Sequence, residues 1–360
     1  MINLFVTGML RSGTTLLEKS LNAHPDIRIF YQPFSELFIH AKRQFLRDNA
    51  IPLDYHALSH YCQETRYTPA DFSLWLKNNR LPYSFVQNAL ADTLHPFFNS
   101  FDSSKYQFDH WYSILIRHLN SKKGWHCLGS KEVLMEEFIP HFLNNNIYSV
   151  IILRDPRDLI TSLDYGKGKV FTGNHRPTLF NLRNWRKSVN FALNADGLRN
   201  FCLVKYEELV KEPVQTLNKI SQMIGLISFK EKWWEDGLYN ENGSCWKGNS
   251  SFCDISPFNP LTIGRHVYTL SDTTRLYIEA VCRREMVYLG YEPASASLSE
   301  CKERIINFRD EFSISRSEFA SDYSTLKENI DCELKHLEYP DVSSFLFEKS
   351  AKKLLPIRLW

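Results

Sequence analysis

The sequence predicts an α/β fold: a mostly parallel β-sheet flanked by helices, with a helical insertion and a C-terminal helical extension. Three observations carry this. A short apolar strand over residues 3–8 runs into the loop Gly8-Met9-Leu10-Arg11-Ser12-Gly13 and at once into a helical pattern with Leu16, Leu17, Ser20 and Leu21. The run YSVIIL (148–153) is short, apolar and β-branched, as strands buried in parallel sheets are, and Asp155-Pro156 then caps and starts a helix. Strand and helix signals keep alternating through residues 201–205 and the helix opened by Pro213, which implies a parallel sheet with helices on both faces.

Taken in order, residues 13–23 form the first helix, ended by His24-Pro25-Asp26 because proline disfavours helix in the residue before it. Residues 27–31 are a second short strand. Pro33 suits the first turn of a helix carrying Glu36, Leu37 and Ile39. Residues 40–120, mixed polar and aromatic with patches of helical period, predict a helical insertion or cap. Cys127-Leu128-Gly129 is a brief strand, 133–143 a helix, and the helix started by Pro156 runs through Leu163. The Gly- and Lys-rich stretch 164–180 is expected to be a loop, and 184–197 a helix. Val214, Leu217, Ile220 and Ile224 stripe the helix after Pro213, and Gly225 follows its end. Residues 240–265 read as irregular, 271–288 as helix, and 293–360 as a charged helical extension beyond an α/β domain of residues 1–292.

The 360 residues are 43% apolar, enough for a substantial core, and carry a formal net charge of +2. That balance gives no global attraction to nucleic acid or anionic membrane, so any anion site must be local. The eight cysteines show no C-x-x-C spacing and read as reduced thiols, with no zinc site or disulfide frame. With no run of 18 apolar residues and no leader-like start, a soluble, cytoplasmic chain is expected.

Strand, glycine loop and helix in succession cradle phosphate on backbone N–H groups and a helix N-terminus, a P-loop-type arrangement. A nucleotide triphosphatase would carry lysine after the second glycine. Here Gly8-x4-Gly13 keeps the spacing, Thr14 stands at the lysine position, and the cation lies inside the loop at Arg11. Such a loop suits a phosphate bearing a transferable group better than a Mg²⁺-bound triphosphate. A second anion site is readable after YSVIIL, where Arg154 leaves the strand tip and Ser162 follows two helical turns later. Pairing of Arg154 and Arg157 with Asp155 and Asp158 as a surface cluster is the alternative reading of that run.

Together the runs R-S-G-T-T-L-L and L-R-D-P-R-D-L-x-x-S resemble the PAPS-dependent sulfotransferases, in the bacterial branch similar to carbohydrate and tyrosylprotein enzymes. The likeness continues at Leu203-Val204-Lys205-Tyr206-Glu207-Glu208-Leu209-Val210, at Leu289-Gly290-Tyr291, and more weakly at Trp246-Lys247-Gly248-Asn249-Ser250-Ser251. It covers roughly residues 3–36 and 125–292. The resemblance implies that Arg11, Ser12, Gly13, Thr14 and Thr15 bind the 5′-phosphosulfate, and that Arg154 and Ser162 bind the 3′-phosphate. Tyr206 joins this cofactor site, and Lys247, Gly248, Asn249 and Ser250 belong to the segment that closes over the nucleotide. PAPS would be the co-substrate and PAP the product, with no metal required.

Sulfuryl transfer needs an in-line oxygen nucleophile, a base for its proton and cations on the developing charge. Arg11 suits the bridging oxygen, and Lys131 matches a family lysine placed to neutralise the transferring sulfonate. A glutamate often follows the family's H-P-D-I segment, but this chain has Tyr31-Gln32-Pro33 there, and glutamine takes up no proton. Glu36, one turn on, is the expected catalytic base; His40 and His110 lie in the uncovered insertion. Phe72, Trp75, Trp111 and Tyr112 suit either the core of the cap or stacking on an acceptor, and Lys167, Lys169, His175 and Arg176 suit an anionic acceptor or solvent. The expected acceptor is a hydroxyl of a carbohydrate or small molecule. A P-loop kinase-like enzyme and a non-catalytic PAP-binding protein are the competing readings.

Overall fold

The computed structural model describes residues 1–51, 67–90, 105–120, 124–166, 176–248, 252, 257–312 and 326–338. Lys167, Lys169, His175, Asn249 and Ser250 lie outside these residues, as do parts of the insertion and extension.

Five parallel strands form the central sheet: β1 (Ile2–Gly8), β2 (Ile27–Tyr31), β3 (Cys127–Lys131), β4 (Tyr148–Leu153) and β5 (Phe201–Lys205), in the order β2-β3-β1-β4-β5. This is the mostly parallel, helix-flanked sheet that the alternating pattern predicts. In β1, Phe5 points to one face and Leu4 and Val6 to the other, as the two-residue strand period requires. Each set enters a separate core, so both faces are covered. Registers Gly8↔Ile152, Val6↔Lys131 and Tyr31↔Lys131 bring the carboxyl ends of four neighbouring strands together at one edge. Ligands of open α/β sheets bind at this edge.

Helix α1 (Thr14–Leu21) follows β1, and α2 (Ser35–Asp48) follows β2. Pro33 stands two residues before α2, outside its first turn; Phe34 is the N-cap. The insertion contributes α3 (Pro69–Asn78), α4 (Tyr83–Leu90) and α5 (Phe108–Leu119). Phe72, Trp75, Trp111 and Tyr112 are all buried there, so they pack the cap and present no face to an acceptor. Their polar tips are satisfied internally: Trp111 Nε1 donates to Leu81 O, Trp75 Nε1 to Asp48, and the Tyr112 hydroxyl to Leu4 O.

Helix α6 (Ile139–Asn144) is shorter than the 133–143 expectation, its first part being a turn and a 3₁₀ segment over Glu136–Phe138. Helix α7 (Pro156–Asp164) begins as predicted, with Asp155 accepting from Arg157 N. Helix α8 (Thr178–Ala195) starts six residues earlier than expected and is buried nearly all round. Helix α9 (Tyr206–Lys211), which no periodicity announced, turns the chain out of β5 into α10 (Pro213–Met223). After α11 (His266–Thr269), the helix expected over 271–288 is divided at Cys282 into α12 (Asp272–Val281) and α13 (Arg283–Tyr288).

The described part of the extension is helical, as α14 (Leu298–Asn307) and α15 (Leu326–Glu338). Both join the main core through Cys301, Ile305, Leu334 and Leu337. Glu333 on α15 takes Arg183 Nε at 2.8 Å and Arg186 Nη1 at 2.6 Å, all three side chains being buried. The two guanidiniums hold its carboxyl down to about 2 against the opposing cost of burial. No helix among the described residues is long and apolar enough to cross a membrane.

Candidate active site

The loop after β1 and the N-terminus of α1 open onto a cleft lined by Arg11, Gly13, Thr14 and Thr15 together with Tyr31, Gln32, Lys131, Arg154, Ser162 and Tyr206. Gly13 is the N-cap of α1 with φ 99°, and no side chain caps the helix there. The first N–H groups of α1 have no partner inside the helix, so the cleft is where they are offered. A Cβ on Gly13 would overlap the Tyr206 ring, which explains the glycine twice over. Arg11 has φ 64°, an unusual conformation for a side-chain-bearing residue. Ser12 turns inward: its N–H and its hydroxyl both donate to Met9 O, at 3.2 and 2.6 Å, so it fastens the loop and does not line the cleft.

The two sequence motifs meet. Arg11 Nε donates to Ser162 Oγ at 3.1 Å, and Arg154 Nη1 donates to Arg11 O at 3.2 Å. Arg154 also donates from Nη2 to Thr262 O at 2.6 Å and lies over the Tyr206 ring at 4.3 Å, while its Nε is buried with no hydrogen-bond partner. Trp185 of α8 fixes the backbone here by donating Nε1–H to Arg154 O at 2.8 Å. Burial lowers the Arg11 pKa, and the neighbouring Arg154 charge lowers it further. Two like charges held together in a partly dry cleft favour an anion between them.

The acidic residues of the second motif are scaffolding. Asp155 caps α7 and pairs with Arg157 at 2.7 Å, and Arg157 also pairs with Glu279 at 2.8 Å. Arg154 takes no part in that cluster and faces the cleft. Glu207 accepts from Asp155 N and from the Tyr291 hydroxyl, both at 2.9 Å, which ties three of the recognised segments to one half-buried carboxylate.

At the opposite end of the cleft, Lys131 is 1% exposed and its Nζ lies 3.5 Å from the Tyr31 ring centre. Burial lowers its pKa to about 8, against the raising influence of Glu18 and Glu132. Gln32 lines the cleft beside it, at φ 47°, with its N–H on Lys131 O at 2.9 Å. Glu132 faces away and takes Phe34 N and Ser35 Oγ, anchoring α2; burial raises its pKa to about 7. Glu36 is not drawn into this constellation. Its side chain is 63% exposed in the first turn of α2, beside His40, and it does not line the cleft. His110 is exposed and stacks on Tyr106.

Residues 238–248 and 257–266 complete the walls. Trp246 and Gly248 line the cleft, Trp246 in a short hairpin paired to Leu238, while Lys247 is exposed. Sequence reasoning missed Thr262, Arg265 and Asp158. Asp158 accepts from Gly264 N at 2.6 Å, His266 N at 2.9 Å and His266 Nδ1 at 2.8 Å, and the Tyr206 hydroxyl donates to Thr262 Oγ1 at 2.8 Å. The Asp in L-R-D-P-R-D was a visible signal, but its partners lie more than a hundred residues away in irregular chain.

Residues 3–231 match a family model described as the sulfotransferase family. Curated protein sequences give no match. Among solved structures, the chain is similar to a sulfotransferase domain from the curacin biosynthetic pathway, at 18% identity, TM-score 0.44, over 81% of this chain and 99% of that one. A sulfotransferase domain from the Synechococcus PCC 7002 olefin synthase matches at 16% identity, TM-score 0.45, over 81% and 95%. Mouse sulfotransferase SULT7A1 complexed with PAP matches at 13% identity, TM-score 0.40, over 83% and 86%.

Proposed function

Because the chain belongs to the sulfotransferase family, we propose that it moves a sulfonate from PAPS to a hydroxyl of a carbohydrate or small-molecule acceptor and releases PAP. The observation that carries this reading is the convergence of Arg11, Ser162 and Arg154 beside the open N-terminus of α1. The residues fit a nucleotide with two separate phosphate groups. The buried, unpartnered Nε of Arg154 suits one anion, and the side-chain-free N-cap at Gly13 suits another.

In this reading the N–H groups of Thr14 and Thr15 and the guanidinium of Arg11 hold the 5′ oxygens. Arg154 and Ser162 hold the 3′-phosphate, with Tyr206 packing against Arg154. Trp246, Lys247 and Gly248, with Asn249 and Ser250 beyond them, border the nucleotide. When bound, the nucleotide supplies a sulfonate activated on a phosphate leaving group. Arg11 stabilises charge appearing on the bridging oxygen, and Lys131 stabilises the sulfonate oxygens, both in a site that is dry enough to strengthen them. Gln32 orients the acceptor hydroxyl by hydrogen bonding. Asp158 is the one carboxylate lining the cleft among the described residues, and both its oxygens are taken. In this reading the new O–S bond forms as the S–O bond to the 5′-phosphate breaks, and the hydroxyl's proton passes to water. Positioning and the two cations carry the transfer, with little from the exposed Glu36.

The test is PAP formation from PAPS over a panel of sugars, phenols and alcohols. Acceptor-dependent PAP release is expected. PAP binding without release on any acceptor would favour the non-catalytic reading that Gln32 suggests, and preference for ATP with Mg²⁺ would favour a kinase-like enzyme.

A further inference from the structure

We propose that Glu18 of α1 is a positioning residue for Lys131: its buried carboxylate is the counter-charge that holds the Lys131 ammonium at the cleft without taking it up in a close ion pair. This rests on the role given to Lys131 in the PAPS reading above. A cation that stabilises a sulfonate has two requirements. It must stay protonated where burial disfavours charge, and its N–H groups must stay free for the anion. A carboxylate in contact would meet the first and spoil the second, whereas one set a little further off meets both.

Thr14, Glu18 and Asn22 recur at four-residue spacing and so share one face of α1. Both ends of that face are fixed. Thr14 lines the cleft, while Asn22 grips Ile29 of β2, donating from Nδ2 to Ile29 O at 2.8 Å and accepting from Ile29 N at 2.7 Å. Tyr31 lies two residues beyond Ile29, hence on the same side of the sheet, and pairs in register with Lys131. Lys131 also pairs with Val6, whose side chain shares a core with Leu16 and Leu17 of α1. Lys131 therefore leaves β3 on the α1 side, and Glu18 faces it from behind the cleft. Glu18 is fully buried. Its Oε1 accepts from Asn22 Nδ2 at 2.7 Å and from Lys19 Nζ at 3.2 Å, while Oε2 has no hydrogen-bond partner among the described residues. Lys131 Nζ rests over the Tyr31 ring and makes no hydrogen bond or close ion pair among the described residues. The other charged groups around it are Lys19 beside Glu18, Arg11 in the loop after β1, Glu132 turned toward α2, and Glu241, which accepts from Tyr31 N at 3.3 Å. Burial works to strip the Lys131 proton; among the charges, Glu18 does most to keep it on, and Lys19 works against it. One carboxylate thus serves two buried ammoniums, which leaves net positive charge for the sulfonate.

The experiment is calorimetric binding of PAPS and of PAP, which lacks the sulfonate, to the full chain between about pH 6.5 and 9.5. In the wild-type chain the ratio of PAPS to PAP affinity should fall roughly 10-fold as pH rises through about 8 and Lys131 loses its charge. Glu18→Gln should start that fall about one pH unit lower, since a nearby opposite charge has gone. Its PAP affinity at the low end should stay within about threefold, which also shows that the variant is folded. Lys131→Arg should show no fall, alone or combined with Glu18→Gln, because arginine keeps its charge. Lys19→Met should move the fall to higher pH, and it decides the matter should Glu18→Gln not fold. A fall at the wild-type pH in these Glu18 and Lys19 variants, or a loss equal for PAPS and PAP at every pH, overturns the role of Glu18. A wild-type ratio that does not change with pH overturns the role of Lys131, and the inference with it. A chain that binds neither nucleotide overturns the PAPS reading itself.

Discussion

Arg154 Nη1 donates to the backbone carbonyl of Arg11 at 3.2 Å, so the guanidinium that leaves β4 also holds the loop that leaves β1. The two runs proposed to hold the nucleotide's phosphates are one device, and substitutions in it should separate binding from turnover.

Arg154→Ala should weaken PAP about 100-fold, because it removes both an anion ligand and the brace on the loop. Arg11→Ala should leave PAP affinity within about fivefold but lower kcat about 100-fold, as expected for a group acting on charge that develops in the transition state. Equal changes in both parameters for the two variants would contradict this division. Steady-state kinetics with direct nucleotide titration decides it.

Lys131 gives the site a pH dependence. Its folded pKa of about 8 means it is charged below that pH and loses charge as pH rises through it. The kcat/KM profile should therefore fall above about pH 8, because the free enzyme's essential acid is being titrated. Lys131→Arg should abolish that alkaline fall, since arginine keeps its charge throughout. An alkaline limb unchanged in Lys131→Arg would assign it to another group.

Glu36→Gln should change kcat by less than about threefold, because an exposed carboxylate outside the cleft takes no proton from a bound acceptor. A drop of 100-fold or more would make Glu36 the base after all.

Gly13→Ala should destabilise the fold by about 1–3 kcal/mol, since φ 99° is unfavourable for alanine and its Cβ meets the Tyr206 ring. Thermal denaturation measures the loss. Tyr206→Leu in the same chain should recover part of it by relieving the overlap, while the backbone strain remains.

Glu333→Gln should cost about 3–5 kcal/mol, because Arg183 and Arg186 would lose the buried carboxylate they share. The wild-type pair also carries a pH signature. The Glu333 carboxyl is depressed to about 2 in the folded state, so its contribution is complete above the ordinary carboxylate range and is lost as pH falls toward 2. Denaturant titrations at pH 7 and pH 3 should show the variant's deficit shrinking at the lower pH.

That the two motifs meet has a geometric reason. The strands are parallel, and register puts Gly8 beside Ile152, so loops following β1 and β4 must share one edge. In the sequence, Arg11 and the pair Arg154 and Ser162 were joined only through the family resemblance, as two separate anion sites. The insertion's aromatics resolved to core because each polar tip found an internal partner, which spacing alone does not reveal. Arg265 and Thr262 were illegible because 257–266 has no period, and its shape is imposed by Asp158, Arg154 and Tyr206. The inward turn of Ser12 and the outward place of Glu36 are likewise set by local backbone geometry, at Met9 O and at the Phe34 cap.

The most direct test of the account is a calorimetric titration with PAP, using adenosine 5′-phosphosulfate as the control lacking a 3′-phosphate, on the wild-type chain and Arg154→Ala. The account expects tight PAP binding, weaker binding of the control, and collapse of the PAP signal in the variant. Absence of PAP binding, or equal affinity for the two nucleotides, would contradict it.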